Sequence, residues 1–248
     1  MILAIVAGNT NTKFAWFRCH RPVASRVVPT AAVCRGRMPK PGRVEAIAIA
    51  SVVPGATRAV RTRLRAAAGP RPFVVGSRTR TGLSFRYLRR DLGADRVCAA
   101  AGARRRFPDR DIIVFDLGTA TTANVILRDG VFAGGAILPG IQMTLDALAA
   151  GTARLPRLRP GGMLEPVQCS TRAAIQAGVA TLFAGGINRT IDRIEHDVGR
   201  PFLVVSTGGG AAVARRYTRR LGLLLPHLAC EGLAELLYLN RRLEVEPS

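Results

Sequence analysis

One pattern occurs twice in this chain and limits what it can fold into. Near the start, Ile2, Leu3, Ile5 and Val6 form an apolar run. Gly8-Asn9-Thr10-Asn11-Thr12 interrupts it, and Phe14, Ala15, Trp16 and Phe17 resume it. Apolar runs on either side of a Gly/Asn/Thr cluster predict strand, tight turn, strand. The pattern returns with Ile112 to Phe115, the turn Gly118-Thr119-Ala120-Thr121-Thr122, and a strand resuming from Asn124 to Leu127. Setting Gly8 on Gly118 pairs Thr10 with Ala120 and Thr12 with Thr122. A pattern found only twice is a duplication and not a solenoid. It predicts two domains of similar topology, residues 1–109 and 110–248.

The intervening segments alternate in type. Ala46 to Val53 reads as a strand stopped by Pro54-Gly55, Thr57 to Ala68 as a basic amphipathic helix, and Phe73 to Val75 as a short strand. A helix is expected over Ala94 to Arg106, ended by Pro108. After the second turn come a strand over Val131 to Leu138, a helix over Ile141 to Ala150, and a Pro/Gly-rich loop over Arg157 to Gly162. A long helix over Thr171 to Val198, a strand over Phe202 to Val205 and a final helix over Glu231 to Arg241 complete the chain. Alternating strands and helices are the α/β signature.

Composition narrows the function classes. The 248 residues are 48% hydrophobic, enough for a substantial core. Five scattered cysteines without a CxxC pair argue against a disulfide framework and a zinc site, and for a reducing compartment. No apolar run reaches membrane-spanning length, and no basic region precedes MILAIVAG, so a cytoplasmic protein is expected. The net charge of +21 is carried almost wholly by arginine, since Lys13 and Lys40 are the two lysines. The arginines fall in short clusters, and aromatics make up 5% of the chain, so base-stacking surface is scarce. Nucleic acid is not the expected partner, although charge alone does not exclude it.

The glycine turns carry the chemistry. Glycine lets backbone approach a ligand closely, and successive N–H groups make an anion nest. Two such turns at matching places, with Thr207-Gly208-Gly209 after a third strand, suit a polyphosphate clamp with a flat base lying on backbone. Neither a GxxxxGK[ST] loop nor a helix-opening GxGxxG is present.

These residues resemble the type III pantothenate kinases, within the actin/hexokinase-like ATPase superfamily. The family's DxGNT appears as Val6-Ala7-Gly8-Asn9-Thr10, followed by Asn11, Thr12 and Lys13, and its SSVVP as Ala50 to Pro54. GxDR is Gly93-Ala94-Asp95-Arg96, with Tyr87 upstream. DxGTATT is intact as Asp116 to Thr122, and GGAIxPG as Gly134 to Gly140. ST-x-x-AI-x-x-G is Ser170, Thr171, Ala174, Ile175 and Gly178, and TGG is Thr207, Gly208 and Gly209. Seven motifs in order span nearly the whole chain.

The resemblance implies two RNase H-like α/β domains with a nucleotide cleft between them. It also implies transfer of the γ-phosphoryl of ATP to pantothenate, with Mg²⁺ and a monovalent cation, K⁺ or NH4⁺, and a homodimer. Asp95 would be the general base. Tyr87, Gly93, Ala94, Arg96 and Thr171 would contact pantothenate. Gly8, Asn9, Thr10, Asn11, Thr12 and Lys13, then Gly118, Thr119, Ala120, Thr121 and Thr122, then Thr207, Gly208 and Gly209, would hold ATP, and Asp116 the metal.

Three positions depart from the family: Val6 replaces the DxGNT aspartate, Asn124 a second acidic residue, and Ala99 an asparagine. Valine cannot bind a cation or orient its water. The two missing carboxylates are expected to slow phosphoryl transfer by roughly 10² or more. Two classes of function follow: a pantothenate kinase weakened at its metal side, or a non-catalytic relative that binds nucleotide or serves as a transcription accessory factor.

Overall fold

The computed structural model describes residues 1–67, 69–162 and 165–245. In chain order the elements begin β1 Ile2–Ala7, β2 Asn11–Arg18, β3 Arg21–Pro29, α1 Thr30–Cys34, β4 Ala46–Ser51, α2 Pro54–Ala66, β5 Phe73–Val74, β6 Ser84–Phe85 and α3 Ala94–Arg106. They continue with β7 Ile112–Leu117, β8 Ala120–Ile126, β9 Val131–Pro139, α4 Ile141–Ala150, α5 Thr171–Val198, β10 Leu203–Thr207, α6 Ala211–Ala214, β11 Leu223–Leu224 and α7 Leu228–Val245. Two compact units result. The first holds residues 1–109, 127–133 and the chain from His227; the second holds 110–126 and 134–226.

In the first unit a five-stranded sheet has the order β3-β2-β1-β4-β5, with β1 antiparallel to β2 and parallel to β4. All six residues of β1 are buried, which is why it reads as a continuous apolar run. On one face Leu3, Ile5 and Ala7 pack with Ile47 and Ile49 of β4 and with Ala56, Val60 and Leu64 of α2. Those α2 residues recur every four positions, the spacing of a helix with one buried face. Pro54 takes the first helical position of α2, where its missing N–H costs nothing, so the helix begins three residues before the expected Thr57. The expected end at Ala68 lies outside the described residues.

α3 packs against α7. A Cβ on Gly102 would lie 2.4 Å from the Leu228 carbonyl oxygen, and one on Gly232 1.8 Å from that of Cys98. The two glycines let the helix backbones touch along the middle and second half of α3. β6 pairs in parallel with the beginning of β9, Ser84 against Val131 and Phe85 against Phe132.

β3 has no counterpart in the sequence-based expectation. It is an edge strand, exposed along nearly its whole length, so it shows no burial alternation. Its hairpin turn is Cys19-His20, both at positive φ, 46° and 63°. That conformation is normally signalled by Asn-Gly or Asp-Gly.

In the second unit the strand order is β11-β10-β7-β8-β9, with β7 parallel to β10 and antiparallel to β8. α4 and α5 match the expected Ile141 to Ala150 and Thr171 to Val198. Ser170 caps α5, accepting a hydrogen bond from the Ala173 N–H at 3.3 Å.

The duplication is real, but its alignment shifts by one residue after the glycine. Ala7 pairs with Thr12 in the first hairpin, and Leu117 pairs with Thr121 in the second. The first turn therefore carries one extra residue. Thr12 corresponds to Thr121, not to Thr122, and both are fully buried.

Candidate active site

In the first unit the turn after β1 is closed by the Gly8 N–H donating to the Asn11 carbonyl at 3.0 Å. Thr30, the first residue of α1, holds this turn from behind. Its hydroxyl donates to the Gly8 carbonyl at 2.6 Å and lies 3.0 Å from the Thr12 hydroxyl, while its N–H donates to the Thr10 carbonyl at 2.9 Å. Sequence reasoning missed Thr30, because the unforeseen β3 carries it back beside Gly8. Val6, next to the turn, is buried at 7% exposure.

The GxDR segment opens α3. Gly93 is the N-cap residue, and the Arg96 N–H donates to Asp95 Oδ1 at 2.8 Å. The carboxylate thus sits at a helix N-terminus, where negative charge is favoured. A Cβ on Gly93 would lie 2.6 Å from the same Oδ1, so a side chain there would displace Asp95. Gly93 and Ala94 line a cavity of about 440 Å³ together with Ser51 and Val52 beyond β4. Val52 ties this wall to the end of β1, its N–H donating to the Ala7 carbonyl at 3.1 Å.

Tyr87 and Arg96 come together elsewhere in the same unit. Arg96 is buried, its guanidinium carbon 5.3 Å from the Tyr87 ring centroid and 5.6 Å from that of Phe132. Tyr87 meets Phe132 edge-on at 6.2 Å. Neither Tyr87 nor Arg96 lines the cavity.

In the second unit the expected residues gather at the end of β7. Thr207 on β10, Asp116 on β7 and Thr122 on β8 form one cross-strand row. Thr122 Oγ1 accepts from Asn124 Nδ2 at 3.2 Å, so the fully buried Asn124 braces this row. The buried Thr207 hydroxyl has no hydrogen-bond partner among the described residues, nor has that of Thr121. Buried hydroxyls are normally satisfied, so an unpaired one beside a carboxylate marks a place for a ligand.

Gly208, at φ 92°, follows at once. Its Cβ would lie 2.5 Å from Asp116 Oδ1, so only glycine fits. The Gly140 N–H supports the second turn by donating to the Thr119 carbonyl at 3.1 Å. Thr171 is exposed on the first turn of α5 and lines a separate, largely apolar cavity of about 460 Å³ with Leu148, Ile175 and Leu182.

The chain matches the family model for type III pantothenate kinases over residues 2–193. The chain belongs to the type III pantothenate kinase family. A type III pantothenate kinase of Moorella thermoacetica is 33% identical over 247 residues, covering 94% of this chain and 97% of that relative. Among solved structures, a Campylobacter jejuni protein described as a Baf family transcriptional activator aligns over 97% of this chain and 99% of its own, with TM-score 0.62 and 18% identity. The activator of 2-hydroxyisocaproyl-CoA dehydratase from Clostridium difficile, solved with bound ADPNP, aligns over 100% and 98%, with TM-score 0.51 and 11% identity. At these identities the structures show fold alone, a mixed α/β architecture with two sheets.

Proposed function

We propose that this protein transfers the γ-phosphoryl group of ATP to the primary hydroxyl of pantothenate, giving 4'-phosphopantothenate and ADP. Family membership supports the reaction. The row Thr207–Asp116–Thr122, with an unpaired buried hydroxyl beside the carboxylate and Gly208 pressed against it, is the observation that carries it to this chain.

The residues fit a divalent cation that travels with the nucleotide. No cluster of three or more His, Cys, Asp or Glu occurs among the described residues, so an all-protein cage is absent from them. Mg²⁺ needs only one or two carboxylates when phosphates and waters complete its shell. Asp116, with the neighbouring threonine hydroxyls, would hold it; when bound it neutralises phosphate charge. K⁺ or NH4⁺ as a further cation rests on the family resemblance.

Asp95 accepts the proton of the pantothenate hydroxyl. The hydroxyl oxygen bonds to the γ-phosphorus, the bond to the β–γ bridging oxygen breaks, and ADP leaves. The Gly8–Lys13 and Gly118–Thr122 turns hold the phosphates, and Thr207, Gly208 and Gly209 the adenosine side. Tyr87, Gly93, Ala94, Arg96 and Thr171 contact pantothenate.

The enzyme is a cytoplasmic homodimer, joined through α4 and the first half of α5. Met143 at 44% and Leu182 at 67% exposure support an apolar contact there. No helix among the described residues is long and apolar enough to cross a membrane.

A coupled assay of ADP release, with Mg²⁺ and K⁺ present, tests the reading. Release that depends on added pantothenate is expected; release that ignores pantothenate contradicts it.

A further inference from the structure

The positive charge is not spread evenly along the chain. Residues 1–90 hold 18 of the 37 lysines and arginines but one of the 16 acidic residues, Glu45, for a net charge of +17. Residues 91–248 hold 19 basic and 15 acidic residues, a net charge of +4. A plain excess of arginine would not empty residues 1–90 of carboxylates, so the asymmetry marks a surface of the first unit. Glu45 is itself taken, paired with the N-terminal ammonium.

The helices α1 and α2 gather part of this charge. Ala56, Val60 and Leu64 turn α2 onto the sheet, and Arg58, Arg61 and Arg65, spaced i, i+3, i+7, form an exposed stripe on its opposite side. α1 packs against α2. A groove of about 690 Å³ there is lined by Cys34, Gly36, Gly55, Arg58 and Arg63, and the exposed Arg35 and Arg37 flank Gly36. A Cβ on Gly55 would lie 3.4 Å from Cys34 Sγ, which places that thiol at the first turn of α2. None of these six arginines forms an ion pair among the described residues.

Exposed cations with no counter-charge repel one another, and a polyanion relieves that repulsion. Guanidinium forks match phosphate oxygens. No aromatic residue lines the groove, and Phe14 and Trp16 beneath it are buried, so nothing here stacks a base or enters a lipid layer. Contact with a phosphate backbone needs neither. The 13 residues of α2 run ~20 Å, several phosphate spacings of a duplex strand.

We propose that the α1–α2 face of the first unit binds the phosphate backbone of duplex nucleic acid without reading its sequence. The inference goes beyond the kinase reading and does not depend on it.

The test is fluorescence anisotropy with a labelled DNA duplex of about 20 base pairs and arbitrary sequence, from about 50 to 200 mM salt. Wild type should lose affinity by roughly 10² or more over that range, as four or more phosphate contacts require. The variant Arg58→Gln, Arg61→Gln, Arg65→Gln should bind roughly tenfold or more weakly at low salt, with a salt slope shallower by about two to three. Arg215→Gln, Arg216→Gln, Arg219→Gln removes the same charge from exposed positions of the second unit and should bind like wild type. Folding of both variants is checked by thermal melting. In wild type, saturating duplex should slow iodoacetamide labelling of Cys34 and leave the exposed Cys169 of the second unit unchanged, which decides the matter alone if the α2 variant does not fold. No binding of duplex by wild type, equal losses in the two variants, or Cys34 labelled at the same rate with duplex bound overturns the inference. Binding to phosphatidylserine vesicles but not to duplex overturns it in favour of a lipid surface.

Discussion

Val6 stands directly across the β1–β2 ladder from Lys13, and at the matching place in the second hairpin Asp116 stands across from Thr122. The duplicated hairpins have thus diverged in charge. One carries a carboxylate beside a hydroxyl, the other a lysine beside a valine. Lys13 forms no ion pair among the described residues.

Val6→Asp gives Lys13 a carboxylate across the ladder and restores an acidic group to the first turn. Turnover with pantothenate should rise about tenfold, equivalent to ~1.4 kcal/mol of barrier. Melting temperature should fall, because the position is buried at 7% exposure and a carboxylate there is desolvated. Adding Asp95→Asn should remove the gain. Unchanged turnover in a folded, ATP-binding Val6→Asp protein would show that the missing carboxylate does not limit the rate.

Thr30→Val tests the brace behind the first turn. The Gly8 carbonyl and the Thr12 hydroxyl lose their partner, a cost of about 1–3 kcal/mol for buried polar groups left unpaired. KM for ATP should rise several-fold, while KM for pantothenate moves much less. An unchanged KM for ATP would mean that Thr30 supports the fold alone.

Most of the fold was legible because buried strands and amphipathic helices write their periods into the sequence. Ala94–Arg106, Ile141–Ala150 and Thr171–Val198 agree with expectation at both ends. β3 was not legible: an exposed edge strand buries no face, and its turn uses Cys19-His20. The one-residue offset between the hairpins was hidden for a related reason. Gly-Asn-Thr-Asn-Thr and Gly-Thr-Ala-Thr-Thr have equal length as text, and only strand register shows where each turn ends. At the candidate site, the glycines and Asp116 stood out as a motif. Thr30 did not, since it comes to its place through tertiary structure and sits in no patterned segment.

Gly208→Ala should lower the melting temperature, because its Cβ would also lie 2.6 Å from the backbone N and O of Leu117, and should be severe for catalysis. The new Cβ meets Asp116 Oδ1 at 2.5 Å, and φ 92° disfavours any side chain. Displacing the carboxylate should lower kcat by roughly 10² or more, the scale of losing one electrostatic contact to the transition state. Wild-type kcat in a folded Gly208→Ala protein would remove Asp116 from the proposed chemistry.

The five thiols should separate by burial. Cys19, Cys34 and Cys169 are exposed, whereas Cys98 and Cys230 are buried, and burial pushes the Cys98 thiol well above its ordinary pKa. Because the thiolate is the reactive form, iodoacetamide should label the first three in native protein and the other two only after denaturation. Mass mapping of the labelled peptides reads this directly. Labelling of Cys98 in native protein would contradict the α3–α7 packing.

The most direct measurement of the account is a single turnover with γ-³²P-labelled ATP, pantothenate, Mg²⁺ and K⁺. Label should pass into 4'-phosphopantothenate in step with ADP formation, and Asp95→Asn should slow that transfer by roughly 10² or more, as expected when a general base is lost. Label released only as inorganic phosphate, or transfer at equal rates in wild type and Asp95→Asn, would contradict it.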